Sequence, residues 1–172
     1  RLAVTGSVLY DITYSVGPGG SVTADKTQAV CQEIVTVTVT PNPGYEIDEL
    51  KYTFEVRLPD GTPTGSHATN PIENGQFSMP ASDVTIIATF KLKDYTITLL
   101  GGQPAHATVT VPAIAHLGEE VTVTVEPDPG YEVQEMRYAF TAAPEGTGGQ
   151  GVHVDYPIEN GKFTMPAADV TI

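Results

Sequence analysis

The stretch "PIENGQFSMPASDVTI", residues 71–86, returns as "PIENGKFTMPAADVTI" at residues 157–172, differing only at Gln76/Lys162, Ser78/Thr164 and Ser82/Ala168. Asn74-Gly75 and Asn160-Gly161 are hairpin signals, because a type I′ turn needs φ > 0 at both central residues and these two residue types tolerate it. Ile72 and Phe77 then flank one turn, Ile158 and Phe163 the other, with Met79 and Met165 as further core candidates. Pro80 and Pro166 end the ladder. Asp83 and Asp169 follow as acceptors of backbone N–H groups in a short capped turn before the last strand. The stretch reads as the closing half of a β module, written twice.

The offset of 86 residues (71 to 157) holds upstream without insertion. It carries "PNPGYE" (41–46) onto "PDPGYE" (127–132), Val35, Val37 and Val39 onto Val121, Val123 and Val125, and Tyr52 and Phe54 onto Tyr138 and Phe140. At the front, "YDITYSV" from Tyr10 matches "YTITLLG" from Tyr95, so a loop has absorbed a residue. Fixed-period self-similarity is the mark of tandem modules. The first spans residues 10–90 and the second 95–172. Residues 91–94 form a short linker without the Pro, Gly or Ser of a flexible one. Residues 1–9 are an N-terminal flank or the end of a preceding module. The second copy stops inside a strand pattern, its last strand truncated, with no counterpart of "IATF" (87–90). The chain begins "RLAV", without an initiator Met or signal-peptide pattern, as a piece of a larger protein would.

"IVTVTVT" (34–40) and "EVTVTVE" (120–126) alternate valine with polar residues, mostly threonine, the period of strands buried on one face. In the two PxPGYE turns, proline fixes φ and glycine permits φ > 0, delivering Tyr45 and Tyr131 to the next strand. The same alternation recurs along the chain, so the expected class is all-β. The arrangement is either a β-sandwich or a β-grasp-like sheet crossed by a short helix near "ADKTQAV" (24–30) or "VPAIAHL" (111–117).

Eight Lys and Arg against 21 Asp and Glu give a net charge of −13, which argues against a phosphate-backbone partner. No apolar run approaches the roughly 20 residues of a membrane helix. The single Cys31 forms no intramolecular disulfide; it aligns with Leu117, so a buried thiol is expected. His67 and His153 correspond at the offset, yet neither has a second ligand at metal spacing. Glu73 with Asp83, and Glu159 with Asp169, resemble an acid/base carboxylate pair. Their recurrence in each small module, among turn residues, favours a structural role.

No catalytic, cofactor-binding or metal-binding residue is therefore assigned. The recurring positions Tyr45, Asn74, Gly75, Phe77, Met79, Pro80 and Asp83, with Tyr131, Asn160, Gly161, Phe163, Met165, Pro166 and Asp169, are assigned to the scaffold. The paired aromatics are expected in the core. With no Trp, a sugar-stacking platform is hard to assemble. The segments 57–70 and 143–156 diverge most and are rich in Gly and polar residues. As loops, they are the candidates for contact with a glycan or protein.

"YTIT", "GEEVTVTVEPDPGYEV" and "GKFTMPAADVTI" together resemble the divergent internalin-type B-repeat family of bacterial surface proteins. The first copy fits less closely, with "CQEIVTVTV" where "LGEEVTVTV" stands later. The resemblance implies small β-rich modules in secreted or cell-wall-attached proteins, acting as spacer or adhesive stalk beside other domains. It also implies host or cell-wall proteins or glycans, and neighbouring domains of the same chain, as partners.

Overall fold

The computed structural model describes residues 6–143 and 150–172. Residues 1–5 of the N-terminal flank and 144–149 of the second divergent segment lie outside the described residues. The chain divides into two compact units, Arg1–Lys91 and Leu92–Ile172.

The first unit contains β1 (Leu9–Val16), β2 (Gly20–Ala24), β3 (Gln28–Val30), β4 (Ile34–Pro41), β5 (Tyr45–Arg57), β6 (Pro63–Pro71), β7 (Gln76–Ser78) and β8 (Val84–Leu92). One sheet has the order β3-β1-β8-β5-β6 and the other β2-β4-β7. β8 runs parallel to β1, with Ile12 opposite Val84 and Val16 opposite Ala88. A core of Ile12, Val22, Val35, Val37, Phe77, Met79 and Ile86 draws on both sheets. Val35 and Val37 point inward while the neighbouring threonines face water, as the alternation in β4 requires.

The second unit repeats this plan in β9 (Tyr95–Thr98), β10 (Ala107–Thr110), β11 (Ile114–Ala115), β12 (Glu120–Thr122), β13 (Thr124–Pro127), β14 (Arg137–Ala142), β15 (Val152–Pro157), β16 (Lys162–Thr164) and β17 (Val170–Thr171). Its larger sheet, β11-β9-β17-β14-β15, matches that of the first unit strand for strand. The counterpart of β4 is divided at Val123 into β12 and β13.

The repeated turns form as read. Asn74 and Gly75 have φ of 53° and 68°, Asn160 and Gly161 of 53° and 70°. Gln76 N donates to Glu73 O at 3.1 Å, and Lys162 N to Glu159 O at 3.0 Å. Gly44 and Gly130 carry φ of 78° and 87°, with Tyr45 N bonded to Asn42 O and Tyr131 N to Asp128 O.

Several expectations are overturned. No described residue is helical: residues 28–30 and 114–115 instead pair with β1 and β9 as edge strands, satisfying their backbone through neighbours. Cys31 is exposed, because it sits in the turn closed by Glu33 N and Val30 O, whose tip faces away from the core. The segments 57–70 and 143–156 are loops only in part. Residues 63–70 lie in β6 and 152–156 in β15, paired along β5 and β14. Their polar composition reflects edge strands wet on both sides, not irregular backbone. Tyr131 is exposed, whereas its counterpart Tyr45 is half-buried.

Candidate functional site

The recurring carboxylates close the fold. Asp83 Oδ1 accepts the Asp11 N–H at 2.8 Å, and Asp169 Oδ1 accepts the Thr96 N–H at 2.8 Å. The partner is thus the parallel neighbouring strand across the sheet, not the aspartate's own turn, which corrects the capped-turn reading. Glu73 and Glu159 sit in the type I′ turns, bridged to Gln76 and Lys162. Each carboxylate of the supposed pairs has its own structural position.

Glu33 and Glu119 were not singled out in the sequence, although they share the 86-residue offset. Glu33 Oε2 accepts the Val30 N–H at 3.0 Å, and Glu119 Oε2 accepts the His116 N–H at 2.9 Å, each across its own tight turn. Lys26 Nζ lies 2.9 Å from Glu33 Oε1. That bond, followed by the Val30 N–H, holds Glu33 below the usual carboxylate range, and the bond to Glu33 raises Lys26 above the usual amine range. The sequence signal was a Glu repeated next to a glycine-like turn.

The histidines scatter. His67 stands on β6 opposite Glu55, and His153 on β15 opposite Thr141. His116 Nε2 lies 2.9 Å from Asp94 Oδ1, and the His106 ring stacks on Tyr131 at 4.1 Å. Among the described residues no group of three or more His, Cys, Asp and Glu side chains is arranged to hold a metal.

Among the described residues, two features are each found in one unit. In the first, Arg57 donates from Nε to Ser82 Oγ at 3.5 Å and from NH1 to Gly61 O at 3.1 Å, bracing the β5–β6 turn. This gives a structural reason for Ser82 where the second copy has Ala168. Asp60 in the same turn is lowered below the usual carboxylate range by the Thr62 N–H. In the second unit an aromatic strip extends further. Both units stack a strand tyrosine on the hairpin phenylalanine, Tyr52 on Phe77 and Tyr138 on Phe163, each with centroids 4.4 Å apart. Tyr156, where the first copy has Asn70, adds a fourth ring to Tyr138, Phe140 and Phe163, 5.7 Å from Tyr138 and 6.2 Å from Phe140. The sequence argument against a stacking platform missed this, since Tyr156 meets its neighbours only across β14 and β15.

The second unit also carries a cleft of about 520 Å³, bordered by Leu100, His106, Val125, Tyr131, Met136 and Ile172 among others. No helix among the described residues is long and apolar enough to cross a membrane.

A family model described as the divergent InlB B-repeat domain matches residues 10–94 and again residues 95–172. Comparison with curated proteins and with solved structures gave no match.

Proposed function

This chain belongs to the divergent InlB B-repeat domain family, and on that premise we propose that it is a non-enzymatic, extracellular segment of a bacterial surface protein, serving as a spacer or adhesive stalk. One observation carries the reading: the polar groups that recur between the copies are spent on closing each module. Asp83 and Asp169 tie the parallel strands, and Glu33 and Glu119 tie the turns before β4 and β12. Repeated modules with internally satisfied polar groups add length without adding chemistry. The experiment is replacement, in the parent surface protein, of this segment by unrelated β modules of equal number. Retained adhesion supports a spacer, and adhesion lost despite normal surface display removes it.

A second reading is a binding module for a glycan or host protein through residues 57–70 and 143–156. The specific observation in its favour is Tyr156, exposed on β15 beside Tyr138, with the Arg137–Asp155 pair at 2.7 Å on the same two strands. Aromatic faces flanked by hydrogen-bonding side chains suit sugar rings. A glycan array blank for the native chain, or unchanged by Tyr156→Ala, removes this reading.

A further inference from the structure

The large sheet of each unit ends in the same strand, β6 in the first and β15 in the second, with no further strand beyond it among the described residues. The two edges are built differently. β6 begins and ends with proline, faces a register shift between Glu55 and Arg57, and holds Gly65 at a φ of 74°. Proline and irregular pairing are the devices that keep an edge from recruiting another strand. β15 has proline only at its end and a regular register along its whole length.

The side chains diverge in the same sense. On the face shared with Tyr138 and Phe140, Ser66, Ala68 and Asn70 of the first copy are replaced by Val152, Val154 and Tyr156. Val152 is 62% exposed and Tyr156 47% exposed. On the opposite face His67 is kept as His153, and Thr69 becomes Asp155. The main chain is available as well. Ile158 N donates to Met136 O at 2.8 Å, so the alternation of an antiparallel ladder bonds Tyr156, Val154 and Val152 to β14 and turns the N–H and C=O groups of Asp155 and His153 outward. Arg137 NH2 reaches the Asp155 carbonyl at 3.4 Å, which leaves that oxygen a second acceptor position.

We propose that β15 pairs antiparallel with β15 of a second copy of this chain, about a two-fold axis at Val154, joining two five-stranded sheets into one. The strand is complementary to itself in that register. His153 of each copy falls opposite Asp155 of the other, a pair of opposite polarity whose outward main-chain groups bond to each other. Val152 falls opposite Tyr156 on the apolar face, and a β-branched residue against an aromatic one is a favourable cross-strand pair. Val154 meets Val154. This self-complementarity selects a second copy as the occupant over an unrelated strand, and an isologous contact closes at two chains. The pairing goes beyond a spacer or a glycan site and needs neither.

The test is sedimentation of the whole chain to about 1 mM, because an interface of one strand pair lies at the small, weak end of the size range. Salt of about 0.15 M screens the repulsion between copies of charge −13. A monomer–dimer equilibrium is expected, with amide exchange at His153 and Asp155 slowing as concentration rises. His153→Asp, an exposed change that leaves the fold intact, sets like charges opposite each other twice and should weaken the dimer at least about tenfold. Mixing that variant with Asp155→Lys should restore association. A chain that stays monomeric overturns the proposal and leaves Tyr156 free for a glycan. Open-ended association, protection confined to other residues, or a dimer indifferent to His153→Asp overturns it too.

Discussion

Gln32 offers a direct measurement of how far the first copy has drifted from the turn chemistry of the second. Its φ is 69°, the left-handed region, at the third position of the turn closed by Val30 and Glu33; the equivalent position in the second unit is Gly118 at 80°. A Cβ built on Gly118 meets nothing within 4 Å, so the side chain has open space and the difference between the sites is backbone alone. A left-handed conformation costs a non-glycine residue roughly 1–2 kcal/mol. Glycine offsets about 0.5–1 kcal/mol of that relief through its freer unfolded chain. Gln32→Gly is therefore expected to stabilise the first unit by about 0.5–1 kcal/mol, and Gly118→Gln to destabilise the second by a similar amount. The Gln32 N–H to Met79 O bond, 2.8 Å, involves backbone only and survives either change. Hydrogen exchange on the intact chain separates the units by segment. Protection across β4 and β8 should rise about two- to fivefold with Gln32→Gly, while β12 to β17 stay unchanged. Calorimetry should show an upward shift of about 2–8 °C in one transition only. If Gln32→Gly lowers protection in the first unit, the turn is held by the glutamine side chain and the backbone argument fails.

The aspartate tie predicts that Asp83→Ala loses about 1 kcal/mol in urea unfolding, while Asp83→Asn, which keeps the acceptor oxygen for Asp11 N–H, loses much less. Equal losses would show that the charge, not the bond across the strands, matters. Met165 is 1% exposed, so Met165→Ala should cost about 2–5 kcal/mol and collapse the second unit's exchange protection first; a change under about 1 kcal/mol would mean that the site refills. Glu33 is held below its ordinary value of 4.5, first by Lys26 and then by the Val30 N–H. Its contribution is present above that value and lost as pH falls through the lower folded value. The melting temperature of Glu33→Gln should accordingly fall less steeply than that of the native chain between about pH 4.5 and pH 2, and identical acid slopes would contradict this.

Legibility followed the range of each interaction. The two Asn-Gly hairpins and both PxPGYE turns could be read because their φ requirements are local, and the valine alternation because strand period is local too. Asp83 was recognised as a backbone acceptor, but its donor, Asp11, lies at the far end of the module and is adjacent only in the folded sheet. Cys31 was expected in the core because Leu117 aligns with it, yet both occupy turn tips, where residue type is weakly constrained. Residues 63–70 and 152–156 looked like loops because polar edge strands have no apolar face to announce them.

By itself, then, the sequence determined the duplication, the all-β class and the turns, since each is encoded by neighbours along the chain and checked by a second copy. Only the tertiary structure decided which strands run parallel, where Asp83 and Glu33 find their donors, and that Tyr156 joins the Tyr138 ring. Those outcomes depend on contacts between distant residues, which alternation and spacing do not rank.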